Sequence, residues 1–542
     1  MSSNIFKVSL VAATVAASFG AHAALYNVYL QDPPEGTSSS LQTYGVAVAP
    51  NATNCWSSSC SDSTSEMAIE VKRYREGFQY RDESPFFLPY GWTYLDDNYD
   101  GFRSYCRSLL GYSDSLCDDW ANKQYTQGYA NEQGGNYAGS IAYLNLVKLP
   151  YDENTVVNSI NASGDPVGNV RNGSVNRNVA FVDADNTNYK SADSNFLSSH
   201  AWVSKTLTTG AGSRTFTVGS ITRNNVDPGN INTFTSKPTI WLGTTATEIN
   251  WAGNRAENGD YKAQGSVRDI VLDSTNSSKL YGVGYTSDGD VRSKAAVFVS
   301  SDSGDSWSTG TLVTGFPYDT SEYANQTLQA VNAKGIAIGT AKLNQALNGA
   351  YANTLFYVDN LTSPVYKAFS GSIFFSGANG KAGGINNVND VVGTIDYERH
   401  KETNGKPRAK RAFITNLGAV TAPGLTPAPI GGIARYLDDL TYGSGASTDN
   451  NQYRIIEAAD INDAGIIAAT AYYCAGGFDS EAIDATCNAG ASLVGVKLVP
   501  INGQTATDIN TRPVTQETVE RQGGTIGFIA LTLLGFLGFR RK

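Results

Sequence analysis

Histidine is nearly missing from this chain, with three residues in 542, and methionine is scarcer, with two. Beyond the first 23 residues only His200 and His400 remain. His200 stands in Ser198-Ser199-His200-Ala201-Trp202, an expected strand start, and His400 in the charged run Glu398-Arg399-His400-Lys401. A Ser-His-Asp triad needs a histidine beside an activated serine. Neither G-x-S-x-G nor H-E-x-x-H occurs to mark one, and there is no phosphate-binding loop. Charge is also sparse, at 17% of residues against ~25% in ordinary soluble proteins. The net charge of −10 and the lack of any basic stripe exclude nucleic acid, whose phosphates demand a basic footprint. No catalytic residue is expected from motifs. Hydrolysis by carboxylates brought together over long range stays open, because such a pair leaves no local signature.

Glycine, serine, threonine, asparagine and tyrosine fill the gap, a β-rich, turn-rich composition of extracellular character. The N-terminus agrees. Lys7 precedes an apolar run from Val8 to Phe19, and Ala21-His22-Ala23 forms an A-x-A cleavage site. The Sec machinery and signal peptidase are therefore expected partners, with a mature chain starting at Ala24. The apolar run is shorter than the ~20 residues of a membrane span. The six cysteines fall into three local pairs, Cys55 with Cys60, Cys106 with Cys117 and Cys474 with Cys487. Proximity suggests disulfides in that pairing, although six cysteines permit others, and an oxidising compartment favours them. Zinc is the rival, and it requires clustered Cys or His ligands.

The C-terminus carries Gly523-Gly524, an uncharged run from Thr525 to Phe539, and Arg540-Arg541-Lys542. At ~1.5 Å per residue the run spans ~22 Å, short against a ~30 Å hydrocarbon core but able to insert with flanking adjustment. The terminal cations would stay cytoplasmic. Residues 501–522 are polar and free of aromatics, as expected for a flexible spacer.

Within the body a nine-residue pattern recurs, Ile/Val-Asn-x-x-Gly/Asn-x-x-Val-Gly. Its copies begin at Ile160-Asn161, Val331-Asn332, Ile385-Asn386 and Ile461-Asn462, place Gly164, Gly335, Asn389 or Gly465 at the fifth position, and end at Gly168, Gly339, Gly393 and, loosened, Ala469. Val218-Gly219 and Val283-Gly284 are partial copies. Asn bonds the backbone two residues on, and Gly or Asn tolerates positive φ, so the pattern predicts a tight turn between strands. A second mark is an apolar strand ending in Phe181, Phe298, Phe356 or Phe413. Short-strand repeats of roughly 50 residues point to propeller blades. Ser300-x-Asp302-x-Gly304-x-Ser306-Trp307 matches the Asp-box pattern, a structural hairpin turn common on propeller blades that does not itself imply a sialidase site.

The tail (Gly523, Gly524, the apolar run, and Arg540, Arg541, Lys542) resembles the GlyGly-CTERM sorting signal of Gram-negative surface proteins. The repeats, most closely Ile385–Gly393 followed by Arg411-Ala412-Phe413, resemble HAF-type repeats. The whole looks like a domain-of-unknown-function (DUF) family of exported Gram-negative proteins. The resemblance implies cleavage near the glycine pair by a rhomboid-type sorting protease and onward export, often by type II secretion, to the surface or medium. It implies no activity.

The expected fold class is all-β: a repeat architecture, a β-propeller of about six or seven blades, plus one C-terminal transmembrane helix. The expected division is 1–23 signal peptide, 24–156 an aromatic and Cys-containing region (a first blade plus insertion), 157–500 β repeats, 501–522 spacer and 523–542 sorting tail. Leu25–Leu30 is a candidate strand closing the last blade, and Gly45–Val48 a decayed repeat. The aromatics of 85–130 form either a disulfide-stapled small core or a ligand groove. Asp96, Asn98 and Asp100, with Gly101, match the front half of a calcium loop, but Arg107 stands where an EF-hand has Glu. Calcium is the one cofactor the sequence suggests, and none is required. The expected function is an exported ring that binds a glycan, peptide or envelope partner. A secreted hydrolase with carboxylates dispersed over blades, or a purely structural envelope protein, is the alternative.

Overall fold

The computed structural model describes residues 23–33, 42–72, 97–136, 140–151, 154–173, 177–186, 188–191, 193–224, 234–259, 261–418, 420 and 422–515. Alternating apolar positions and frequent turns produce antiparallel strands, which assemble into six four-stranded sheets, one three-stranded sheet and a small hairpin. The first strands of the seven sheets are Gln42–Val48, Thr155–Ile160, Phe196–Thr209, Ser266–Leu272, Tyr323–Val331, Gly380–Ile385 and Tyr453–Ile461. Each packs against the first strand of the next sheet, and the last returns to Gln42–Val48, so they line a central axis. The fold is a seven-bladed β-propeller. In the seventh blade the fourth strand comes from the N-terminus: Tyr26–Gln31 pairs with Ser492–Pro500 from Tyr26↔Pro500 to Gln31↔Gly495. Sheet edges invite pairing, and this exchange closes the ring where the chain's two ends meet.

The repeat now has a physical account. Its Asn starts the turn between the first and second strands of a blade. The Asn332 side-chain oxygen accepts hydrogen bonds from the N–H groups of Lys334 and Ile336, Asn386 from Val388 and Asp390, and Asn462 from Ala464 and Ile466. The fifth position has positive φ, 76° at Gly335 and 68° at Asn389, which explains Gly or Asn there. The amide nitrogens then reach the next blade. Asn332 donates to the Asn386 carbonyl (2.9 Å), Asn386 to the Asn462 carbonyl (3.4 Å), and Asn462 to the Ala49 carbonyl (2.9 Å). The motif is both a turn and an interblade tie.

Its last glycine answers a different need. Every first strand carries a β-bulge against the second, for example between Val157 and Ser159, Val267 and Asp269, and Leu328 and Ala330. The bulge tips a first-strand carbonyl toward the second strand. A Cβ on Gly168, Gly219, Gly284, Gly339 or Gly393 would lie 1.7–2.3 Å from that carbonyl oxygen. In blades two, five and six the phenylalanine of the third strand, Phe181, Phe356 or Phe413, lies inside the strand rather than at its end and sits directly opposite this glycine. Ala469 replaces glycine in blade seven. There the close approach falls on Gly45 of blade one, whose Cβ would lie 2.3 Å from the Ala469 oxygen.

One segment adds detail to the sequence reading and another, the expected spacer, differs from it. The 85–130 stretch, expected as an insertion with either a small core or a groove, is helical from Asn98 onward: Asn98–Tyr105 and Asp114–Ala121, each continued by a wider helical turn, then Ala130–Gln133. They are inserted between the second and third strands of blade one. Phe102, Tyr105, Trp120 and the Cys106–Cys117 disulfide form their small core. The polar segment from 501 is held against the body as far as Thr515. Arg512 is 2% exposed, and its N–H donates to Asp439 at 2.9 Å. Among the described residues no helix is long and apolar enough to cross a membrane. The expected span at 523–542 and the signal segment 1–22 lie outside the described residues.

Gly339→Ala tests the bulge account. It should destabilise the ring by about 1–3 kcal/mol through overpacking, read as a lower denaturant midpoint. Unchanged stability would refute the stated role of the carbonyl approach.

Candidate functional site

In a propeller of this topology the turns joining first to second and third to fourth strands share one face, here called the turn face. The connections from second to third strands and from blade to blade share the other. The centre between them is where the first strands bring side chains together.

Charged groups are concentrated there, and each forms a seam. Asp269, just past the bulge of blade four, accepts from Lys205 Nζ of blade three at 2.5 Å and from its neighbour Ile270 N–H at 2.7 Å. Its other oxygen accepts from Val331 N–H of blade five at 2.9 Å. Asp460 repeats the device at the last seam, accepting from Val48 N–H of blade one at 3.1 Å and from Ile461 N–H at 2.9 Å. Glu70 accepts from Val157 N–H between blades one and two (2.7 Å). Ser159 donates to the Trp202 carbonyl between two and three (2.7 Å), and Lys381 pairs with Glu457 between six and seven (3.0 Å). Arg268 of blade four lies over the Trp202 ring of blade three at 3.8 Å. Burial pushes the Asp460 carboxyl up to about 7, and the Asp269 charge adds to this. The hydrogen bonds from Val48 and Ile461 and the Lys205 charge pull the other way. Two carboxylates with unlike environments are the usual signature of acid–base chemistry. Here both oxygens of each accept protein N–H groups, which is the arrangement of a clip.

The face opposite the turns carries the helical insert. Asn404 N–H of blade six donates to the Gly111 carbonyl at 2.8 Å, and Ser113 N–H to the Gly405 carbonyl at 3.0 Å. Gly111 abuts the Tyr351 ring of blade five, and Phe234 of blade three joins the insert's core. An insert rooted in blade one thus reaches across to blades three, five and six and caps this mouth of the ring. The same face holds a buried charge cluster. Asp438, wholly buried, pairs with Arg411 at 3.2 Å and accepts from Ile455 N–H at 2.9 Å. Arg512 donates from Nε to the Asp438 carbonyl, and Arg454 from Nε to the Ala482 carbonyl.

The sequence-predicted residues fall as follows. The Asp box forms the turn between the third and fourth strands of blade four. Asp302 accepts from Ser300 Oγ (2.7 Å), Ser306 N–H (3.0 Å) and Ser306 Oγ (2.5 Å), and Trp307 Nε1 donates to the Gly304 carbonyl (3.2 Å). These bonds hold the Asp302 carboxyl down at about 2. The three disulfides are Cys55–Cys60, Cys106–Cys117 and Cys474–Cys487. Asn98 and Asp100 open the helix Asn98–Tyr105 rather than a loop. The Asn98 side-chain oxygen accepts from Tyr125 OH, and Asp96 lies outside the described residues. Among the described residues no group of three His, Cys, Asp or Glu is placed to hold a metal. His200 is buried in the first strand of blade three, where desolvation and then the Arg177 charge lower its pKa well below the usual range. His400 pairs with Glu398 at 3.0 Å. Ala23 docks its N–H on the Asp508 carbonyl, whereas Ala21, Gly523, Gly524, Arg540, Arg541 and Lys542 lie outside the described residues. Sequence reasoning missed Lys205, Asp269, Asp460 and the Asp438 cluster. The only local sign was an Asp two residues before the motif Asn in Asp460-Ile461-Asn462.

No curated protein matches the chain at a significant level. Among solved structures, a protein of unknown function from Dyadobacter fermentans is similar at 10% identity and a TM-score of 0.34, over 88% of this chain and 98% of that one. The β-propeller domain of the Trilobed protease from Pyrococcus furiosus is similar at 10% identity and a TM-score of 0.29, over 82% and 91%. An α-L-arabinanase from Penicillium chrysogenum is similar at 11% identity and a TM-score of 0.24, over 56% and 93%. The sequence model of a family described as "Protein of unknown function (DUF3466)" matches residues 280–542, from the second strand of blade four to the C-terminus.

Proposed function

We propose that this protein is an exported, non-catalytic binding ring. It is carried across the inner membrane by its N-terminal signal and held by its C-terminal tail until a sorting protease releases it, and it presents loops to an extracellular glycan, peptide or envelope partner. The observation that supports this most is the use of the central carboxylates. Asp269 and Asp460 each have both oxygens taken by protein donors, one of them a backbone N–H of the next blade, and Glu70 accepts the Val157 N–H through one oxygen. A general acid or nucleophile needs an oxygen free to meet substrate. The two signals at the chain ends and the disulfides support residence outside the cytoplasm. Removal of the tail near Gly523 and passage by type II secretion belong to the same reading.

Thermal-shift measurements on the purified chain against glycan, peptide and calcium panels test it, because a ligand of the folded ring raises the apparent Tm. A saturable shift with no turnover is expected. Saturable hydrolysis of any of these polymers, abolished in Asp269→Asn or Asp460→Asn without loss of fold, would overturn the reading in favour of a hydrolase.

The structural role of Asp460 also predicts a pH dependence. Its folded value of about 7 lies above the ~3.9 of an unfolded aspartate. The stability it contributes is therefore fully present below about pH 4 and is lost as pH rises through about 7. Asp390, Asp396 and Asp439, each pushed up to about 6 chiefly by burial, act in the same direction. Asp302, held at about 2, contributes above about pH 4 and loses that contribution in stronger acid. From these carboxyl groups the contribution to unfolding free energy is expected to be greatest near pH 4 and to fall from about pH 4 to about pH 7. Asp460→Asn should flatten that fall. An unchanged slope would show that Asp460 is not desolvated as described.

A further inference from the structure

The end of the described chain is fixed in one place. From blade seven's third strand, which finishes on the turn face at Pro500, the chain crosses to the opposite face and is clasped there. Arg512 enters the cluster of Asp438, Asp439 and Arg454, with its guanidinium over the Tyr442 ring at 5.1 Å and donating to the Glu481 carbonyl at 3.1 Å. Pro513 accepts from Ile483 N–H at 2.8 Å, and Thr515 N–H donates to Asp484 at 2.7 Å. Glu481, Ile483 and Asp484 all belong to the connection between the second and third strands of blade seven, on the face that also carries the helical cap.

Seven residues, 516–522, separate this clasp from Gly523. Fully extended they reach roughly 25 Å. The first strand of blade seven, nine residues long, sets the height of the ring near ~30 Å. A tether leaving one face at its rim is too short to pass around the blade and hold the other face against a bilayer.

We propose that, while the tail is inserted, the cap-bearing face lies against the lipid surface and the turn face, with the Asn motif and the Asp box, points away from it. This rests on the tail acting as a membrane anchor. The orientation itself comes from the Arg512 clasp and the short tether. An extracellular partner then meets the turn face first, and the mouth under the cap is shielded until the tail is cut.

The full chain reconstituted into phosphatidylethanolamine–phosphatidylglycerol vesicles that contain a headgroup-quencher lipid provides the test. A fluorophore is placed at Lys406→Cys on the cap-bearing face or at Lys334→Cys on the turn face, both exposed positions. Quenching at position 406 is expected to exceed that at 334 at least twofold. A twenty-residue Gly/Ser insertion after Thr515 leaves the ring untouched and should bring the two values together, as should Arg512→Ala if it folds. Equal quenching in the unmodified chain, or stronger quenching at 334, overturns the proposed orientation. Failure of the unmodified chain to float with the vesicles overturns the anchor reading, and the orientation with it.

Discussion

A backbone carbonyl pressed toward a position that cannot carry a side chain is the constraint around which this ring is organised. Each blade's first strand bulges, and in blades two to six its carbonyl approaches the second strand to within 1.7–2.3 Å of where a Cβ would sit on Gly168, Gly219, Gly284, Gly339 or Gly393. The bulge increases local twist and leaves the residue that follows it free to face the neighbouring blade. In blades four and seven that residue is Asp269 or Asp460, and each clips the next first strand through its backbone N–H. In blade four the bulge admitted by Gly284 thus places the carboxylate that ties two blades, whereas blade seven places Asp460 with Ala469 in the glycine's position.

The ties are of two kinds, at two heights. At the turn face the Asn motif passes neutral amide hydrogen bonds from blade five to six, seven and one. Nearer the centre, charged groups do the same work with fewer residues. Neutral amides are cheap to desolvate and insensitive to pH. Buried carboxylates are neither, and removing one partner leaves a costly unsatisfied group. The ring thus couples a pH-independent outer lacing to a pH-dependent inner one.

How much of this was legible in the sequence follows from the range of each interaction. The Asn turn and its positive-φ residue are settled within five positions, so Asn332 and Gly335 announced themselves, and so did the Asp box through Ser300, Asp302 and Trp307. Blade strands and their repeat followed from these, as did the strand at Leu25–Leu30. Asp269 and Asp460 were silent because their partners, Lys205, Val331 and Val48, lie in other blades. The helical insert was read only as an aromatic, disulfide-bearing patch, since its helices are short and owe their stability to packing of Phe102 and Trp120 rather than to a long amphipathic period. Arg512 sat in a polar stretch that read as spacer. What fixes it is a pair of aspartates, Asp438 and Asp439, some seventy residues earlier.

The seventh blade is built from both ends of the chain, with Tyr26–Gln31 zipped to Ser492–Pro500. A nascent chain therefore carries an unpaired N-terminal strand through nearly its whole synthesis, and no intermediate lacking the last third-strand residues can close the circle. Closure of the ring, though not formation of the earlier blades, accordingly waits until the third strand of blade seven has been made. Closing the circle thus joins two strands that are made far apart in time.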